Sequence, residues 1–206
     1  MVDTLELIVE KVLRKIEEAK YIPIEASARH VHLSQEHVDS LFGKGYELEK
    51  IRELSQPGEY LCKERLDIIG PKSVLRNVAI LGPVRGSTQV EISRTDSIAL
   101  GVNAPLRLSG DLEDSETLFI SCCRKVIEAG SSTIVAKRHI HMTPEDGIRY
   151  GLSDKQIVRV RVHSVRPLVF EDVIIRITEK SRLAIHIDHD EANACGFVEG
   201  AMGEII

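Results

Sequence analysis

Tryptophan is absent and aromatic residues make up only 4% of the chain, so a base-stacking surface for nucleic acid is not expected. The net charge of −5 points the same way, because nucleic acid calls for a basic face. Cys62, Cys122, Cys123 and Cys195 have no C-x-x-C spacing, which argues against a thiolate zinc site or a disulfide framework. They read mostly as small buried hydrophobes. No apolar run is long enough to span a membrane, and no membrane partner is expected. The N-terminus is acidic and amphipathic, where a secretory signal would be basic and then continuously apolar. The expected location is the cytosol or a compartment continuous with it.

What is present fits a soluble globular protein: 43% hydrophobic and 29% charged residues over 206 positions. Four of the eight histidines belong to one repeated hexapeptide, Arg29-His30-Val31-His32-Leu33-Ser34 and Arg138-His139-Ile140-His141-Met142-Thr143. In a strand, histidines at i and i+2 point to one face and the intervening β-branched residue to the other. Two converging imidazoles make half a zinc site. Ser34 and Thr143 suit helix N-caps, and a glutamate (Glu36, Glu145) follows six residues after each first histidine. The copies stand 109 residues apart, His30 to His139, which implies duplication into two similar halves.

Leu5, Ile8, Val9, Val12, Leu13 and Ile16 form one stripe of an amphipathic helix over residues 3 to 19, and Asp3 and Glu6 fit a capping box. Pro23 ends it, and a strand with the first His-x-His follows. Beyond residue 60 come short β-type runs, including 78–82, 88–94, 104–109, 117–122, 156–163, 168–178 and 183–188. The expected fold class is mainly β with short helices, an α+β chain of two small β-barrel domains related by duplication.

After the Gly82-Pro83 turn the chain alternates, placing Gln89 and Glu91 opposite Val90 and Ile92. A carboxylate is a common third partner for two histidines at a catalytic zinc. Arg85 offers a planar fork for phosphate or carboxylate. His186, between two isoleucines, shares the other face with Asp188; it reads either as a candidate to complete a three-histidine set with His139 and His141 or as a solvated strand histidine. His37 and His163 have no repeat echo and read as structural.

The chain resembles the phosphotransacylases of the PduL type, which exchange an acyl group between coenzyme A and phosphate. The resemblance rests on Ser27-Ala28-Arg29-His30-Val31-His32-Leu33-Ser34, on Gly82-Pro83-Val84-Arg85 leading to Thr88-Gln89-Val90-Glu91, and on Gly101-Val102-Asn103-Ala104-Pro105 with Ser109-Gly110-Asp111. The second Arg-His-Ile-His-Met, and His186-Ile187-Asp188 followed by Asp190-Glu191-Ala192-Asn193-Ala194, extend it over nearly the whole chain. It implies two zinc ions per chain, one on His30, His32 and Glu91, the other on His139, His141 and His186. Arg85 would bind phosphate. Coenzyme A would touch Ala26, Ser27, Ala28, Lys72, Asn193 and the position of Ala79, where the family usually has arginine. His189 stands where threonine is common.

The resemblance further implies that residues 21–28 form a strand crossing to a C-terminal barrel of residues 137–206, with 29–136 as the first barrel. The implied reaction takes a short-chain acyl-CoA, propanoyl or acetyl, and phosphate to acyl phosphate and free coenzyme A. Phosphate would attack the carbonyl directly. A dinuclear zinc hydrolase and a non-enzymatic zinc protein stay open as alternatives. Residues 1–20 read either as a peptide docking on a bacterial microcompartment shell or as a helix packed on its own barrel or a second subunit.

Overall fold

Along Ile157–His163 the apolar residues Val158, Val160 and Val162 are buried while Arg159 and Arg161 are exposed, so period-two alternation sets which face meets a core. The computed structural model describes residues 20–206. The expected helix over 3 to 19 lies outside the described residues.

The strands are β1 (Tyr21–Ser27), β2 (His30–His32), β3 (Lys50–Glu53), β4 (Tyr60–Ile69), β5 (Val74–Gly82), β6 (Gln89–Ile92), β7 (Leu106–Arg107), β8 (Glu116–Cys122), β9 (Lys125–Ala136), β10 (His139–Met142), β11 (Ile157–His163), β12 (Val169–Ile177), β13 (Ala184–Asp188) and β14 (Met202–Ile205). Among the described residues the helices are α1 (Gln35–Phe42), α2 (Arg94–Leu100), α3 (Pro144–Tyr150) and α4 (His189–Cys195). None is long and apolar enough to cross a membrane. The fold is therefore mostly β with short helices.

One closed barrel runs β1-β13-β10-β12-β11-β14 and returns to β1. A second ring runs β4-β5-β2-β6-β9-β8 and closes where β8 pairs β4; β3 and β7 are appended to β4 and β9. Each ring fills its own core. Leu33, Leu41, Ile68, Ile80 and Ile120 pack in one, and Ile22, Ile140, Met142, Ile175 and Ile185 in the other. Strand β1 precedes β2 in the chain yet pairs in parallel with β13, so the chain passes between barrels just before the first His-x-His. The barrels also touch through Gln56, whose side-chain amide donates to the Arg182 carbonyl at 3.0 Å and accepts from its N–H at 3.1 Å.

Local chemistry ends the His-x-His strands. Ser34 and Thr143 cap α1 and α3. The run expected as a strand to residue 94 stops at Ser93, because Ser93 and Asp96 form a capping box that starts α2. Asp188 and Glu191 do the same for α4. Of the cysteines, Cys62 and Cys195 are buried, while Cys122 is half-buried and Cys123 exposed at the β8–β9 turn.

The joint between β4 and α2 leaves no room for a side chain. A Cβ on Gly70 would lie 2.5 Å from the Leu100 carbonyl oxygen and 2.8 Å from its Cβ. Gly70→Ala is expected to lower unfolding free energy by about 1–3 kcal/mol, the range for overpacking a tight site. An unchanged urea midpoint would contradict this packing.

Candidate active site

Each His-x-His lies on a short strand between two neighbours in the same arrangement. Strand β2 is parallel to β5 and antiparallel to β6; β10 is parallel to β12 and antiparallel to β13. Register then selects a third group in each half, since His30 faces Glu91 and His139 faces His186. Glu91 and His186 occupy equivalent positions of the duplicated unit, although one is a carboxylate and the other an imidazole.

The ligand-type atoms of His30, His32 and Glu91 lie within 4.8 Å of one another, as do those of His139, His141 and His186. In the second triplet the Nε2 atoms of His139 and His141 are 3.1 Å apart. In the first, His30 Nε2 is 3.6 Å from Glu91 Oε2. Backbone carbonyls orient the rings: the Nδ1 of His30 lies 2.8 Å from Ala28 O, that of His139 2.8 Å from Lys137 O, and that of His32 3.1 Å from Leu81 O. A proton on each Nδ1 leaves Nε2 as the free lone pair.

Two ion pairs repeat with the same logic. Arg29 meets Asp96 at 2.9 Å and Arg138 meets Glu191 at 2.7 Å. Each arginine precedes its first histidine, and each acid is the capping-box residue of the helix that follows the strand of Glu91 or His186. The pairs thus tie each His-x-His strand to the element carrying the third residue of its triplet.

Burial holds the imidazoles of His32, His139 and His141 neutral. It lowers His32 to about 3, helped by the positive charges of His30 and Arg85. Burial and the neighbouring His186 lower His139 to about 4, and burial with His139 and His186 lowers His141 to about 2. For Glu91 burial pushes the carboxyl up, but His30 beside it prevails and keeps it well below the carboxylate range. His30 is raised, the Glu91 carboxylate outweighing its burial. Glu91 also accepts from Ser109 Oγ at 2.8 Å and from the Gln89 amide. His186 Nε2 lies 3.1 Å from Glu25 Oε2 but without hydrogen-bond alignment, and this buried nitrogen has no hydrogen-bond partner.

Both triplets line one cleft of about 900 Å³, together with Ala26, Ser27, Ala28, Ala79 and Arg85. Arg85 is half-buried; its guanidinium donates to Ser109 Oγ and to Glu59 Oε1, each at 3.2 Å. Lys72 and Asn193 stand outside the cleft lining and are exposed. Glu36 and Glu145, the other repeat echoes, are exposed first-turn acids of α1 and α3, where they favour the helix dipole. His37 bonds Thr88 Oγ1 at 2.7 Å and His163 lies 3.5 Å from Glu204, both away from the cleft. Sequence reasoning missed the clamp roles of Arg29 and Arg138, for which the capping boxes at Ser93 and Asp188 were the available signal.

A family model described as phosphate propanoyltransferase matches residues 23–198. The chain is 50% identical over 206 residues to a phosphate propanoyltransferase of Clostridioides difficile, covering 100% of this chain and 99% of that one. It is 51% identical over 199 residues to one of Listeria monocytogenes, covering 97% and 93%, and 47% identical over 199 residues to one of Thermotoga maritima, covering 96% and 95%. Likeness at this level, end to end, leaves one assignment: the chain belongs to the phosphate propanoyltransferase family and is an acyltransferase.

Proposed function

We propose that the chain interconverts a short-chain acyl-CoA, propanoyl-CoA or acetyl-CoA, and phosphate with acyl phosphate and free coenzyme A. The observation that carries this reading is that both donor triplets and the Arg85 guanidinium line a single cleft.

His30, His32 and Glu91 would hold one zinc ion, and His139, His141 and His186 a second. The donor types suit zinc, the neutral imidazoles of His139 and His141 are the ligating form, and the buried His186 Nε2, beside Glu25 but in no aligned hydrogen bond, is free to ligate. When bound, the ions supply Lewis acidity and compensate negative charge.

The chain's own groups then have defined tasks. Arg85 gives up Glu59 and Ser109 as partners and grips two phosphate oxygens through its planar fork. So held, a phosphate oxygen attacks the thioester carbonyl; the new O–C bond forms, the C–S bond breaks, and coenzyme A leaves as thiolate. Ala26, Ser27, Ala28 and Ala79 offer the coenzyme A contact along the cleft wall, with Lys72 and Asn193 reached only by parts of the molecule extending outside it. Direct attack is favoured over an acyl-cysteine because no cysteine lines the cleft. Burial also pushes the Cys62 thiol up to about 11, far from nucleophilic.

Thiol release from propanoyl-CoA, followed with and without phosphate alongside zinc analysis, tests the reading. Release is expected only with phosphate, with two zinc ions per chain. Phosphate-independent release would make the protein a hydrolase. The same reading divides the chain into a strand of residues 21–28, barrel domains of 29–136 and 137–206, and an N-terminal segment of 1–20 that docks on a microcompartment shell. Fused to a fluorescent protein, residues 1–20 should collect at assembled shells; a diffuse signal would refute the docking.

A further inference from the structure

Arg176 lies on β12 in register with His141 on β10. Its strand neighbours Val173 and Ile175 are buried in the barrel core, so alternation turns Arg176 to the opposite face, where it lines the cleft. Among the described residues it makes no hydrogen bond and no ion pair, while the cleft's other inner arginine, Arg85, is paired with Glu59. A half-buried guanidinium in that state gives up hydration with no carboxylate in direct contact, only the more distant charges of Glu91, Glu59 and Asp154, and this costs free energy that a directly bound anion would offset.

The placement narrows which anion. Arg85 belongs to the first half, where its charge bears on His32. Arg176 belongs to the second, where its charge bears on His141. Both guanidiniums line the one cleft, and burial disfavours the charge of Arg176, Glu91 favours it and Arg85 again disfavours it. Two like charges facing one space are relieved by a dianion between them, and a guanidinium fork matches phosphate oxygens. We propose that Arg176 is a second phosphate-binding residue, gripping the phosphoryl group of phosphate and of acyl phosphate from the second-half wall while Arg85 holds it from the first.

The inference rests on the acyl-transfer reading, and its test separates the two. Arg176→Gln and Arg176→Lys are made in the full-length, zinc-loaded chain. Zinc content, the melting temperature without phosphate, the shift of that temperature by inorganic phosphate, and the KM values for phosphate and propanoyl-CoA are measured. Arg176→Gln is expected to raise KM for phosphate about 10-fold or more, the loss typical of a hydrogen bond to a charged group. It should also shrink the phosphate-induced thermal shift and leave zinc content and KM for propanoyl-CoA unchanged. Arg176→Lys, keeping charge but not the fork, should fall between, and it decides the question if the glutamine variant does not fold.

An unchanged KM for phosphate and an unchanged thermal shift would overturn the proposal. So would a rise confined to propanoyl-CoA, which would assign Arg176 to the phosphates of coenzyme A. Phosphate-independent thiol release by the unaltered protein would instead defeat the transfer reading, and the thermal shift would still decide whether Arg176 binds phosphate.

Discussion

Replacing His139 with alanine is expected to reduce bound zinc from two ions per chain to one and to slow turnover by about three orders of magnitude. Two imidazoles are left in that triplet, and a catalytic zinc is ordinarily held by three protein ligands. The rate estimate follows from the several kcal/mol a metal contributes to transition-state stabilisation, at tenfold per about 1.4 kcal/mol. The effect should stay local, because the first triplet sits on β2 and β6 of the other barrel and has its own ring anchors at Ala28 and Leu81. Arg138→Ala supplies the graded comparison. It removes the 2.7 Å pair with Glu191 while leaving every ligand in place. Zinc at the second triplet should then bind about 10- to 100-fold more weakly, as when outer groups orienting a ligand are lost. A competition titration with a chelator reads this directly. Two tightly held ions in both variants would show that zinc sits elsewhere.

How far these groups were legible depends on the range of the forces that place them. The two His-x-His strands and their hydroxyl caps are local: alternation over three residues and a Ser or Thr before the helix suffice. Helices α2 and α4 were hidden because each follows its strand without a break, so apolar Val90 and Ile92 masked the capping box begun at Ser93. Glu36 and Glu145 echo through the repeat as strongly as the histidines, yet helix geometry turns them to solvent. Closure of the first barrel depends on β8 meeting β4, where Asp67 pairs with Ser121, a contact with no local trace. The equivalence of Glu91 and His186 appears only once register is known, since their chemistry differs. Arg176 looks like the solvent-facing member of an alternating strand, and what lies over that face is decided by the other half of the molecule.

Arg85→Ala is expected to lower kcat/KM for phosphate about 10²- to 10³-fold, the loss seen when a preorganised donor to developing or bound negative charge is removed. Zinc content should not change, because the guanidinium touches Ser109 and Glu59 and none of the six candidate ligands. The loss has two parts. One is the missing fork. The other is Glu59, whose carboxylate now faces the cleft unpaired and repels the incoming dianion. Glu59→Gln in the Arg85→Ala background should therefore recover part of the lost phosphate affinity, whereas Glu59→Gln alone removes a competitor for Arg85 and should lower KM for phosphate. Opposite-signed single effects with a non-additive double variant are the signature of a pair that exchanges its internal partner for substrate. Additive effects would mean that the Arg85–Glu59 pair is a passive brace. A KM for phosphate unmoved by Arg85→Ala, with zinc retained, would hand phosphate binding to Arg176 alone.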